Sequence, residues 1–171
     1  SGLLPAGFSF NSNGTLSGTP LTSTGGSYPL VIRASNSIGG EMIQPFTLTV
    51  NQAPVITSGS QASFLVGKSA SYSLAATGYP APVFSVDSGS LPAGVGLTAD
   101  GKLQGVALPG SKGSYSFTVK ASNAGGSTLQ NYTVAVSQEG VFAVAAMGGG
   151  SDFSKLAIYS NGTEKLLREV I

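Results

Sequence analysis

The chain has 171 residues, a formal net charge of +1, and no His, Cys or Trp. Charged residues make up 9%, against about 25% in an average soluble domain, so an exposed face must be built from Ser, Thr, Asn and Gly. This composition rules out imidazole and thiol catalysis, disulfide staples and imidazole or thiolate metal sites, and its singly scattered Lys and Arg argue against a nucleic-acid partner.

The first 51 residues open on Leu4-Pro5-Ala6-Gly7-Phe8-Ser9-Phe10, then Asn13-Gly14, then Leu16-Ser17-Gly18. Two apolar runs around Asn-Gly are a hairpin signal, and the dipeptide is expected to supply the positive φ angles of a two-residue turn. Phe8 and Phe10 are expected to face Leu16. Next, Tyr28, Leu30, Ile32 and Ala34 alternate with Ser27, Val31, Arg33 and Ser35, the period of a half-buried strand. Phe46, Leu48 and Val50 alternate with Thr47 and Thr49 in the same way.

Asn51-Gln52-Ala53-Pro54 is expected to be a short linker, since Pro cannot continue a ladder. Val55-Ile56, Phe64 to Val66, Tyr72-x-Leu74-x-Ala76 and Val83 to Val86 then read as short strands, with Phe84 and Val86 inward. At Leu91 the opening pattern returns: Leu91-Pro92-Ala93-Gly94, Asp100-Gly101, Leu103-Gln104-Gly105. Tyr115 to Asn123 then answers to Tyr28 to Asn36, and Tyr132 to Val136 answers to Phe46 to Val50 with one residue of slippage. One unit therefore occurs twice with a period of 87 residues, the size of a small sandwich domain rather than of a solenoid repeat. About seven short strands with turn signals between them predict an immunoglobulin-like sandwich over 53–137. Residues 1–51 are expected to be the C-terminal half of another such domain. The expected fold class is all-β: tandem Ig-like sandwiches, the first incomplete, followed by a β-rich tail.

Residues 138–171 match neither copy and are expected to be a β-rich tail or the start of a further domain. Val141 to Met147 is a continuous apolar run, as in a strand covered on both faces. Leu156 to Tyr159 leads into Asn161-Gly162, another hairpin signal. For residues 163–171 a helical stripe competes with a returning strand, and the Asn-Gly turn favours the strand.

The Leu-Pro-Ala-Gly, Asp-Gly-x-Leu-x-Gly and Gly113-Ser114-Tyr115 to Gly126 motifs, with the final Tyr132 to Val136, resemble the bacterial immunoglobulin-like repeat family of the cadherin/dystroglycan type. The resemblance covers 1–51 in part and 53–137 in full. Thr19-Pro20 fits the family pattern, and Val106-Ala107 departs from it at a turn. The resemblance implies extracellular or cell-surface repeat modules, used as spacers or adhesive stalks, with no catalytic residues.

No Gly-x-Ser-x-Gly elbow precedes a helical pattern, and without His a Ser-His pair is impossible. The carboxylates Glu41, Asp87, Asp100, Glu139, Asp152, Glu164 and Glu169 form no Asp-x-Asp cluster of the kind calcium needs. Sequons stand at Asn13, Asn131 and Asn161, two of them within turn dipeptides. Tyr79 and Tyr159 are the aromatics that would stack on sugar if exposed, although single tyrosines more often pack. No cofactor and no metal are expected, and no segment is long and apolar enough for a membrane span.

The expected function is a non-catalytic structural or adhesive module of an extracellular or cell-surface protein. The alternatives are a carbohydrate-binding accessory domain of a secreted enzyme and a virion-surface decoration domain. Expected partners are other Ig-like domains of the same protein or neighbouring subunits, with surface glycans as a further class. A half sandwich exposes Tyr28, Leu30, Ile32, Phe46 and Leu48, and such faces and edges recruit partners. Two explanations stand side by side. The chain is a piece of a longer repeat protein, or the tail of one subunit, through Val141, Phe142, Val144 and Met147, fills the open unit of the next.

Overall fold

The structure is a computed structural model that describes residues 2–145, 156–160 and 163–170, the strands after Gly140 by their backbone only. Among the described residues every regular element is a strand. The first unit holds two hairpins. β1 (Phe8–Phe10) pairs with β2 (Leu16–Gly18), and β3 (Gly26–Ala34) pairs with β4 (Met42–Val50), all antiparallel. The second unit holds β5 (Gln52–Ile56), β6 (Gln61–Leu65), β7 (Ser69–Ser73), β8 (Ala76–Tyr79), β9 (Val83–Gly89), β10 (Val95–Leu97), β11 (Lys102–Val106), β12 (Gly113–Asn123) and β13 (Gly126–Ser137). One sheet runs β6-β13-β12-β9, a second runs β10-β11-β7, and β5 pairs with β8. In the tail, β14 (Val141–Ala145), β15 (Leu156–Ser160) and β16 (Thr163–Val170) form an antiparallel meander.

The second unit closes around one core. Period-two alternation sends Phe117, Val119 and Ala121 of β12 and Tyr132, Val134 and Val136 of β13 to the same side. They pack with Phe64, Leu74, Phe84 and Leu103, all buried. The Phe64 and Tyr72 rings meet edge-on with centroids 5.3 Å apart, and Phe117 lies 5.5 Å from Tyr132. The Tyr72 hydroxyl donates to the Ser63 carbonyl, so a half-buried phenol is paired. Burial pushes the Tyr132 phenol above its ordinary value, with Tyr72 adding to the shift.

Three expectations are corrected. The hairpin turns are not two-residue turns. Asn11 N–H donates to Thr15 O and Gly14 N–H donates to Asn11 O; Thr98 and Gly101 repeat both bonds with Lys102 and Thr98. These are three-residue loops in which only the glycine, Gly14 or Gly101, has positive φ, a type I turn closed by a left-handed residue. Asn13 keeps an ordinary φ and accepts a bond from Thr15 N–H. The second correction concerns the linker. β4 ends at Val50 and β5 begins at Gln52, so a single residue, Asn51, separates them. Pro54 is buried within β5 and sits where the β5–β8 register shifts, the bulge position at which a strand accepts proline. Third, Phe84 points inward but Val86 stays 36% exposed, because β9 is an edge strand and its pairing with β12 is irregular near that residue.

The tail is β-strand where strand was expected, including Thr163–Val170. Of the run Val141 to Met147, the structure describes β14 as a strand with β15 at one edge, and Met147 lies outside the described residues. So do Asn161 and the side chain of Tyr159.

Candidate functional site

The two units repeat each other bond by bond. Pro5 and Pro92 are both buried. Phe8 N–H donates to Pro5 O at 3.2 Å, and Val95 N–H to Pro92 O at 3.0 Å. The Tyr28 hydroxyl donates to Thr24 O at 2.7 Å, and the Tyr115 hydroxyl to Ser111 O at 3.0 Å. The hydroxyls of those two partners donate in turn to Leu21 O and Leu108 O, each at 2.6 Å. Register agrees as well: Leu30↔Phe46 stands for Phe117↔Tyr132, and Tyr28↔Leu48 for Tyr115↔Val134. This Tyr–carbonyl tie holds the chain entering β3 or β12 against the strand. Replacing Tyr115 with Phe should cost about 1 kcal/mol, the net value of one such bond, read as a lowered urea midpoint.

With the frame identical, the difference lies in what covers it. Residues 2–51 hold no counterpart of β6 or β7. Leu103, Val119 and Val134 are fully buried, while their counterparts Leu16, Ile32 and Leu48 are only half-buried. Tyr132 is 4% exposed and Phe46 is 37% exposed. Between the two hairpins of the first unit lies an apolar cleft of ≈ 260 Å³, lined chiefly by Leu4, Phe10, Leu16, Leu30, Ile32 and Phe46. Of the five residues expected as an open face, Leu30, Ile32 and Phe46 line this cleft. Tyr28 is tied down by its hydroxyl, and Leu48 sits on β4 beside the cleft. The sequence reading missed Leu4, Phe10 and Leu16, although the 87-residue offset sets Leu16 against Leu103 and marks it as a core position. At the rim Arg33 forms an exposed ion pair with Glu41 at 2.6 Å, which contributes little to stability.

Among the described residues there is no group of three or more metal-ligating side chains, and no helix is long and apolar enough to cross a membrane. Asp100 lies in the second hairpin loop, where a bond from the Thr98 hydroxyl and the neighbouring Lys102 hold its carboxyl below the ordinary value of 3.8. That is a turn function. Tyr79 is half-buried in β8, paired with Gln52. Asn131 is exposed, and its Oδ1 accepts a bond from Thr118.

The two-sheet second unit with its buried inter-sheet core defines an immunoglobulin-like β-sandwich module. The chain belongs to the family described as "Putative Ig domain", whose model matches residues 1–51 and 53–137. A search of curated proteins finds no match. Among solved structures the chain is similar to a chimeric titin Z1Z2, at 27% identity over 53% of this chain and 99% of that one, with a TM-score of 0.40. It is similar to the Sidekick-1 immunoglobulin domains 1–5 at 20% identity, over 82% of this chain and 30% of that one, with a TM-score of 0.48. A "putative alpha-galactosidase" from Bacteroides fragilis matches at 26% identity over 53% of this chain, with a TM-score of 0.45. The matched part spans 19% of that enzyme's length.

Proposed function

We propose that the chain is a non-catalytic structural or adhesive module of an extracellular or cell-surface protein, and that strands from outside residues 1–51 complete its first unit, supplied by the same longer protein or by a neighbouring Ig-like subunit. The observation that carries this reading is the contrast between two copies of one frame. The side chains that form the core of the second unit stand half open to solvent in the first. A cleft and strand edges of that kind are where β-strand addition takes place. Where the donor is a second subunit, donor and acceptor lie at different places on one chain, the contact does not close on itself and the product is a filament. The uncharged, hydroxyl-rich surface and the lack of any His or Cys support a role without chemistry.

Scattering over a range of concentrations tests the assembly. A particle that lengthens with concentration supports donation between subunits, and a monomer at every concentration overturns it. Removing residues 138–171 then tests the tail as donor. Polymers that persist without the tail exclude Val141 to Met147 from that role.

The domain division is part of the same proposal. Residues 52–137 should fold alone with one cooperative, β-rich unfolding transition, since all members of the main core cluster lie within them. Starting at Gln52 keeps the bond from Asn123 Nδ2 to Gln52 O at 2.8 Å. A molten fragment by circular dichroism would refute the boundary.

A further inference from the structure

The two units meet at one residue. Asn51 alone separates β4 from β5, and Gln52, the first residue of β5, is held from both sides. From the first unit, the Gly25 N–H donates to Gln52 Oε1 at 3.1 Å. From the second, Asn123 Nδ2 donates to Gln52 O at 2.8 Å and to Pro80 O at 2.7 Å. Asn123 Oδ1 accepts from the Gly125 N–H at 2.8 Å, which fixes the orientation of the amide. Two glycines allow this closeness. A Cβ on Gly25 would lie 2.6 Å from the Gln52 Cβ and 2.9 Å from the Tyr79 Cβ. A Cβ on Gly125 would lie 2.6 Å from the Gln52 carbonyl carbon. Neither glycine lies in the left-handed region of φ, so neither is demanded by its own backbone angle. What demands them is contact with Gln52. The second unit shows the same loop without this contact. The shared register sets Lys112 at the place of Gly25, and Lys112 is exposed. The loop itself therefore accepts a long side chain, whereas the joint does not.

We infer that Gln52 is a latch that fixes the angle between the two units, closed by Gly25 on one side and by Asn123 and Gly125 on the other. Two domains on one chain move against each other unless their junction prevents it. A one-residue connection limits the reach of such motion but leaves rotation about the φ and ψ of Asn51. The Gly25 bond removes that freedom, because it ties the loop before β3 to a side chain beyond Asn51. Asn123 keeps the Gln52 backbone, from which that side chain projects, in place on the second unit. Tyr79, paired with Gln52, lies against the same face of Gly25. The latch gives the structural module proposed above a fixed direction, and it stands whichever chain completes the first unit.

The test is a distance measurement between pairs of spin labels on the full chain. The chain has no cysteine, so labels go only where cysteines are introduced. Ser17→Cys with Ser71→Cys spans the joint, and Ser71→Cys with Ser116→Cys stays within the second unit; all three serines are exposed. Labelled chain is diluted with unlabelled chain, so that contacts between copies do not contribute. With the latch closed, the distance distribution across the joint should be as narrow as the one within the second unit. Gly25→Lys, which places the second unit's own residue in the loop, should widen it about twofold or more as motion between the units returns. Gln52→Ala should do the same, and Gln52→Glu, which keeps the accepting oxygen, should not. A distribution clearly broader across the joint than within the second unit in the otherwise unsubstituted chain overturns the proposal. So does one that stays narrow in both Gly25→Lys and Gln52→Ala, or one that widens equally in Gln52→Ala and Gln52→Glu. Gln52→Ala leaves every residue of the first unit unchanged, so a misfolded Gly25→Lys does not blunt the test. Scattering reads donation between subunits separately, and either result can fail alone.

Discussion

Phe117→Ala should lower the stability of the second unit by about 3 to 5 kcal/mol, the range for truncating a buried aromatic. Leu30→Ala, at the same position of the first unit, should cost less than about 2 kcal/mol, below the range for a leucine in a closed core. Phe117 is 4% exposed and stacks 5.5 Å from Tyr132. Leu30 faces Phe46 across the same register position, but it borders an open cleft. Solvent already reaches part of it, and a truncated side chain there leaves a wider cleft rather than a sealed cavity. Urea unfolding followed by far-ultraviolet circular dichroism and tyrosine fluorescence measures both. Equal losses would mean that the first unit is as closed as the second.

Much of this fold could be read from the residues, and the failures have identifiable causes. Period-two alternation located β3, β4, β12 and β13, because each buries one face and shows the other to water. The repeat then identified the core of the second unit, and resemblance supplied the family. Fine geometry was less legible. Asp-Gly and Asn-Gly announce a hairpin but do not state its length. The structure uses three-residue loops, and the deciding bonds, Thr98 to Lys102 and Gly101 to Thr98, are between backbone groups. Pro54 read as a linker because proline usually ends a ladder, yet a register shift makes room for it within β5. Val86 has the right parity for the core and fails only because its strand lies at an edge. The cleft was legible in part. Leu30, Ile32 and Phe46 follow from alternation, whereas Leu4, Phe10 and Leu16 approach from the other hairpin. Only the tertiary fold brings the two hairpins together.

The glycines of the repeated motif answer a steric demand that alternation does not express, and Gly94→Ala tests it. A Cβ on Gly94 would lie 2.1 Å from the Val106 carbonyl oxygen, with φ at +85°. Gly105, on the facing strand opposite Val95, is equally confined, its Cβ position being 2.1 Å from the Gly94 oxygen. The obstacle in both cases is backbone, which cannot rotate aside as a side chain can. Residues in unfavourable backbone regions cost about 1 to 3 kcal/mol by strain alone. Here the strands must also part, stretching the bond from Val106 N–H to Gly94 O at 3.1 Å at a further cost of about 1 kcal/mol. Gly94→Ala should therefore destabilise the second unit by about 3 kcal/mol or more. Gly110→Ala is the matched control. Gly110 has φ +87° but nothing within 4 Å of its Cβ position, so it should show the strain without the clash, about 1 to 2 kcal/mol. Thermal or urea denaturation of both variants separates the two contributions. If the two losses are equal, backbone angle alone explains the motif. If Gly94→Ala costs clearly more, the Leu-Pro-Ala-Gly and Leu-x-Gly segments are paired by close packing of one main chain on another. The first unit repeats this at Gly7 and Gly18, where the Cβ positions lie 2.0 Å from the Thr19 and Gly7 oxygens. The same contact therefore holds the first hairpin in shape beside an open cleft, where side-chain burial contributes less.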